Sequence, residues 1–184
     1  MGRYFFLNHC TFTLKNNMEP IVNKVAESGL ITLDPVRFLP SSESLQSFDL
    51  KSYLFKELIL KEKEFRAALK EVDWSVYDQK KVAVFCSVDA IIPAWAYMLV
   101  ASYLHAAAAV FFGTVEHLTD AIIAENIKDF DIVSYKDQRI VIKGCGDVFV
   151  PHAAYMYLTQ KLQPIVKSIM YGEPCSTVPI LKNK

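Results

Sequence analysis

The sequence predicts an α/β protein: three layers around a parallel or mixed sheet, with a Rossmann-like βαβαβα core and an N-terminal strand and helix arm. Three observations carry this. Strand-like runs alternate with helix-like runs three times between residues 81 and 172, which implies helical crossovers and parallel strands. Of the 184 residues, 52% are hydrophobic and 22% charged, a composition that suits a sheet covered on both faces or an apolar face buried in a homodimer. The length fits one domain able to bury a core. Residues 18–184 are read as that domain and residues 1–17 as an extension, because Met18 opens a more ordinary sequence.

Charge and hydropathy exclude several classes. Lys plus Arg equals Asp plus Glu, 20 against 20, and no basic block occurs, so nucleic acid is not an expected partner. The longest apolar stretch, "AIIPAWAYMLVASYL", is shorter than the roughly 20 residues of a membrane span and contains a proline. It is expected to be a buried helix. Asn8 and His9 interrupt the N-terminal apolar run, which makes a poor signal peptide. A cytoplasmic protein with reduced or metal-bound cysteines is expected.

Each element follows in order. Residues 18–50 read as irregular, with a short helix over 21–27, a strand "LITLD" and a loop punctuated by Pro35 and Pro40. Residues 51–72 read as one amphipathic helix with Leu54, Leu58, Phe65 and Leu69 on its apolar face. "KVAVFCS" is a strand, and "PAWAYMLVASYLHAAA" a helix that opens on proline. "AVFFG" and "TVEHLTDAIIAENI" repeat that order. "QRIVIKGC" is the third strand, followed by a helix from Pro151, kinked or broken at Pro164. The tail "EPCSTVPILKNK" is expected to run back across the surface.

Two strand-to-helix junctions resemble each other. Cys86 precedes Asp89, Pro93 and Ala96-Tyr97-Met98; Cys145 precedes Asp147, Pro151 and Ala154-Tyr155-Met156. From the aspartate onward both read D-x3-P-x2-A-Y-M, an internal pseudo-repeat of one strand–loop–helix unit. In a parallel sheet both cysteines leave the carboxyl ends of strands, the edge where open α/β sheets bind ligands. A helix N-terminus following each loop favours a thiolate. Gly144 and Gly146 are expected to allow positive φ angles and a close ligand approach. Asp89 and Asp147 either cap their helices or accept a hydrogen bond from a bound ligand.

Cys175, after a Gly-Glu-Pro turn, sits in a tail free to fold over the same edge. Cys86, Cys145 and Cys175 on three loops form a candidate soft-ligand set for zinc or an iron–sulfur cluster, with a fourth ligand from His152, an aspartate, a partner or an exogenous group. Cys86 ends an apolar strand and reads equally well as a packed thiol, and Cys10 reads as incidental. A rival reading makes Cys145 a nucleophile, with His152 as base and Lys143 or the helix N-terminus stabilising charge. A third is a dimeric scaffold with packed cysteines. No phosphate-binding loop occurs, since "GCGD" lacks the third glycine of a dinucleotide fingerprint, and no nucleotide is expected.

The segments "IVNKVAESGLITLD", "CSVDAIIPAWAYMLVAS", "VIKGCGDVFVP" and "MYGEPCSTVP" together resemble an uncharacterised family found mainly in Bacteroidetes, domain of unknown function 2480. The resemblance covers nearly the whole chain from Met18 and includes Cys86, Cys145 and Cys175. It implies no established activity. Genes of such members lie near those for iron–sulfur cluster assembly, so the resemblance implies iron–sulfur assembly proteins as partners and an accessory role.

Overall fold

In a computed structural model the structure describes residues 29–144 and 146–183. The extension 1–17, the helix expected over 21–27 and Cys145 itself lie outside the described residues.

The strands are β1 (Leu30–Leu33), β2 (Leu45–Asp49), the hairpin β3 (Leu54–Phe55) and β4 (Ile59–Leu60), β5 (Lys81–Phe85), β6 (Ala109–Phe112), β7 (Arg139–Lys143), β8 (Ser168–Glu173) and β9 (Ser176–Lys182). The helices are α1 (Glu62–Lys70), α2 (Ala94–Tyr103), α3 (Val115–Asp129) and α4 (His152–Leu162). Apart from the small hairpin, the strands form two sheets, ordered β1-β7-β8-β9 and β2-β5-β6. All pairs in these two sheets are parallel except β8 with β9.

The α/β class with mostly parallel sheets is as the sequence implies, and the larger sheet is mixed. The expected run of β5, β6 and β7 through one Rossmann-like sheet is divided instead. β7 pairs with β1 on one side and β8 on the other, whereas β5 pairs with β2 and β6. The physical reason lies in the stretch read as irregular. It contributes two short strands, β1 and β2, and each seats against a central strand whose middle three residues are buried.

The same arrangement is built twice. β1, β7, α4 and β8 match β2, β5, α2 and β6 in order and register: Leu30 faces Arg139 as Leu45 faces Lys81, and Leu33 faces Ile142 as Phe48 faces Val84. One core cluster joins Leu33, Ile140, Ile142 and Ile169 to Ala154, Leu158 and Leu162 of α4. Its counterpart joins Phe48, Val82 and Val84 to Ala96 and Val100 of α2 and its C-cap Leu104, with Phe65 and Leu69 of α1. Helix α3 links the halves: Ile123 and Ile127 enter the first cluster, while Leu118 and Ile122 pack on Ala83 of the smaller sheet.

Two expected helices are shorter than read. Asp49 caps a 3-10 turn over Leu50–Tyr53 by accepting the Lys51 N–H, and Lys56 and Glu57 take positive φ angles in the β3–β4 turn. A helix therefore begins only at Glu62; Phe65 and Leu69 are buried as expected, but Leu58 is exposed. Helix α4 ends at Leu162, broken just before Pro164 as one of the two expected alternatives, and the chain then enters β8, whose residues read as the rest of that helix. The ring of Pro164 cannot be accommodated inside a helical ladder. Among the described residues no helix is long and apolar enough to cross a membrane.

Candidate functional site

The carboxyl ends of β1 and β7 and the start of α4 enclose a cavity of about 430 Å³. Its walls include Asp34, Lys143, Gly144, Gly146, Asp147, Phe149, His152, Tyr155 and Tyr171. Each polar wall group is placed by a local device. Asp34 follows β1 and caps the 3-10 turn Pro35–Phe38, accepting the Val36 N–H at 3.0 Å. Lys143 is the last residue of β7 and donates to Asp34 across the strand pair at 3.2 Å. His152 opens α4 behind Pro151, whose side chain offers no hydrogen-bonding cap.

The electrostatics follow from these contacts. The Val36 N–H, with Lys143 adding to it against a small burial penalty, holds the Asp34 carboxyl below its ordinary value. The hydrogen bond and charge of Asp34 raise the Lys143 ammonium, and the charges of Glu173 and Asp147 act the same way. Both partners shift towards ionisation, so Lys143 is a fixed cation within reach of three carboxylates. Its Asp34 contact is half-exposed and so contributes little to stability.

Gly144 is required here for a reason the sequence does not display. Positive-φ glycines among the described residues are Gly29, Gly113 and Gly172, so backbone handedness, the expected reason, does not demand glycine at 144. Instead the Tyr171 ring lies over it: a Cβ at 144 would come within 2.4 Å of the ring. The Tyr171 hydroxyl donates to the Gly144 carbonyl at 3.2 Å, and its ring meets Tyr155 edge-on at 5.5 Å. A Cβ at Gly146 would meet open space, and Gly146 does not take the expected positive φ either.

The remaining predicted site residues are divided. Asp147 and His152 line the cavity together with Gly144 and Gly146, the two sequence neighbours of Cys145. Cys86 follows the matching strand β5 of the smaller sheet and packs with the Phe48–Val84 cluster. There it lies close enough to Tyr97 for its charge, after burial, to help raise the Tyr97 hydroxyl, as does Asp49. Asp89 borders a separate shallow hollow with Leu58, Ile59 and Ile91. Neither Asp89 nor Asp147 caps its helix; Pro93 and Pro151 occupy the cap positions. Cys175 is exposed in the β8–β9 turn. That turn is tied to the cavity, because Lys143 faces Gly172 in register and Glu173 acts on Lys143. Among the described residues no group of three or more His, Cys, Asp or Glu side chains could hold a metal ion.

Asp34 and Tyr171 are site residues that the sequence reading missed. A signal for Asp34 was present: "LITLDPVRF" and "LQSFDLKSY" share a strand, an aspartate and a closing aromatic. Asp34 and Asp49 are those aspartates, and each caps a 3-10 turn at the end of its strand.

Comparison with known proteins gives a family and no activity. No curated protein and no solved structure matches the chain. The model of the family described as protein of unknown function (DUF2480) matches residues 19–183, and the chain belongs to that family.

Proposed function

We propose that this protein binds a small polar molecule in the cavity at the carboxyl edge of the larger sheet and presents the Cys145 thiol to it. The observation behind this reading is the cavity itself: its wall combines the Asp34–Lys143 pair, His152 and both sequence neighbours of Cys145. A thiolate is favoured beside a lysine and a helix N-terminus. In this reading Lys143 supports the charged thiol or ligand, Asp34 fixes Lys143, and His152 accepts or returns a proton. Cytoplasmic conditions, which keep thiols reduced, suit it.

Alkylation by iodoacetamide near neutral pH, mapped by mass spectrometry, tests the reading. Cys145 is expected to react well ahead of Cys86 and Cys175, and Lys143→Met is expected to slow it. Similar rates for the three thiols in the unmodified protein would overturn the proposal.

One observation favours a second reading, in which the site holds zinc or an iron–sulfur cluster. The turn bearing Cys175 follows the strand position facing Lys143, so Cys175 and His152 belong to one sheet edge, with Gly144 and Gly146, the sequence neighbours of Cys145. Cys86, on the other sheet, would then be a packed thiol. Iron–sulfur assembly proteins are the partners this reading calls for. Anaerobically purified protein is expected to carry close to one equivalent of zinc or a stoichiometric cluster, lost in Cys175→Ala. Metal content far below one equivalent, unchanged after reconstitution, would exclude it.

A further inference from the structure

A second cavity adjoins the first. It measures about 380 Å³ and lies between α4 and the outer strands β8 and β9. Tyr155 and Tyr171 line both cavities, so one pair of edge-on rings forms the partition between them. The chemistry changes across that partition. On the far side Ile142 and Ile169 are fully buried at the floor, while Met156 and Ile180 stand 67% and 53% exposed at the rim. Thr159 and Gln160 are the polar residues there.

Resting on the ligand-binding reading above, the geometry points to an amphiphile as the ligand. Its polar head occupies the cavity of Asp34, Lys143 and His152, and an unbranched apolar tail passes Tyr171 into the groove. The tail is the occupant argued for because the groove continues the head cavity across a shared wall. Its exposed rim residues gain cover only if something apolar lies between them. The Tyr171 ring, held over Gly144 by its hydroxyl, gives the tail a flat surface to cross. Burial of each methylene contributes about 0.8 kcal/mol, or about fourfold in affinity. A groove of this size accommodates several methylenes before the chain end reaches solvent. The head cavity contains one lysine and two aspartates, so either sign of head charge has a partner.

The test uses the full chain and two homologous probe series, the n-alkyl carboxylates from butanoate to dodecanoate and the corresponding n-alkylamines, each below its micelle concentration. Binding is measured by titration calorimetry. In one series affinity is expected to rise about fourfold per methylene over the middle members and then level off. Ile180→Ser and, independently, Met156→Gln are expected to flatten that rise while short members bind as before. Both side chains are more than half exposed, so these variants are expected to fold. Affinity independent of chain length would overturn the tail site and leave the head cavity standing. A rise that survives in both variants would also overturn it, since the tail would then lie elsewhere. Failure of every probe to bind would overturn the amphiphile, whereas the cavity reading is decided separately by the order of thiol alkylation.

Discussion

The two halves of the molecule are built on one plan and end in opposite chemistry. In each, a short strand closes on an aspartate that caps a 3-10 turn, the central strand is buried on both faces, and a proline opens the covering helix. Gln79 and Asp137 even share a left-handed φ of 58° at the turn before their central strands. At the strand ends the halves part. The larger sheet carries Lys143 and Gly144 where the smaller one carries Phe85 and Cys86. Tyr171 pairs edge-on with Tyr155 in one half, and Phe112 with Tyr97 in the other.

The aspartates show what the divergence does. Asp49 accepts N–H groups from both Lys51 and Ser87, so its carboxylate ties the strand-end loop of its own half down. Among the described residues Asp34 accepts the Val36 N–H and meets the Lys143 ammonium. The cavity opens beside this pair. The sheet edges differ too: β9 covers β8, leaving Ile169 fully buried, whereas the matching Val110 on β6 is 42% exposed. A duplicated frame thus supports a cavity at one strand end and a packed thiol at the other.

The largest expected effect asks whether the halves are one cooperative unit. Leu158 and Val100 occupy matching, fully buried positions on α4 and α2. Leu158→Ala is expected to cost about 2–5 kcal/mol. Val100→Ala, which removes fewer methyl groups, should cost about 1–3 kcal/mol. Because α3 contributes to both halves' clusters, each variant should lower the midpoint of a single urea transition. Two separable transitions, each moved by one variant, would show that the halves unfold independently.

How much of this was legible follows from where the information lay. The central strands and α2, α3 and the start of α4 are long apolar or periodic runs, and their residues announce them. The D-x3-P-x2-A-Y-M repeat marked the two equivalent junctions. Strand β1 is read in "LITLD", but the five residues of β2 fall in a stretch that reads as loop, and nothing in either run names its partner, so the division into two sheets was not visible. β8 followed Pro164 without a turn signal and was absorbed into a helix. The cavity half of the site was found through Gly144, Gly146, Asp147 and His152. Tyr171 and Asp34 come from distant parts of the chain and meet Gly144 and Lys143 only through strand pairing.

A mid-sized effect sharpens the contrast at the strand ends. Gly144→Ala places a methyl group against the Tyr171 ring, and overpacking of this kind costs about 1–3 kcal/mol. Cys86→Ala at the matching position removes one heavy atom from a half-buried site and should cost under about 1 kcal/mol. The mechanism can be separated from a general loss of fit. Tyr171→Ala should cost less in the Gly144→Ala background than in the parent, because the clash is already gone. Additive effects across this pair would place the strain of Gly144→Ala somewhere other than Tyr171.

The smallest expected effect is the acid dependence of the two aspartates. For Asp49, burial pushes the carboxyl up, but hydrogen bonds from Ser87 and Lys51 outweigh it and the net shift is downward. Asp34 is also lowered, chiefly by the Val36 N–H. A carboxyl whose folded value lies below its unfolded one stabilises the fold above the ordinary value of 3.8, and that contribution disappears as pH falls through the lowered folded value. Replacing either cap by alanine should cost about 1 kcal/mol near neutral pH and proportionally less in acid. Asp49→Ala is expected to cost more, because it also releases the Ser87 N–H. Asp34→Ala frees Lys143 and should change ligand affinity in the cavity more than stability. Urea unfolding at a series of pH values from neutral down past the ordinary carboxylate range reads both. An Asp34→Ala loss as large and as pH-dependent as that of Asp49→Ala would mean that the larger sheet's loop is tied down like its counterpart.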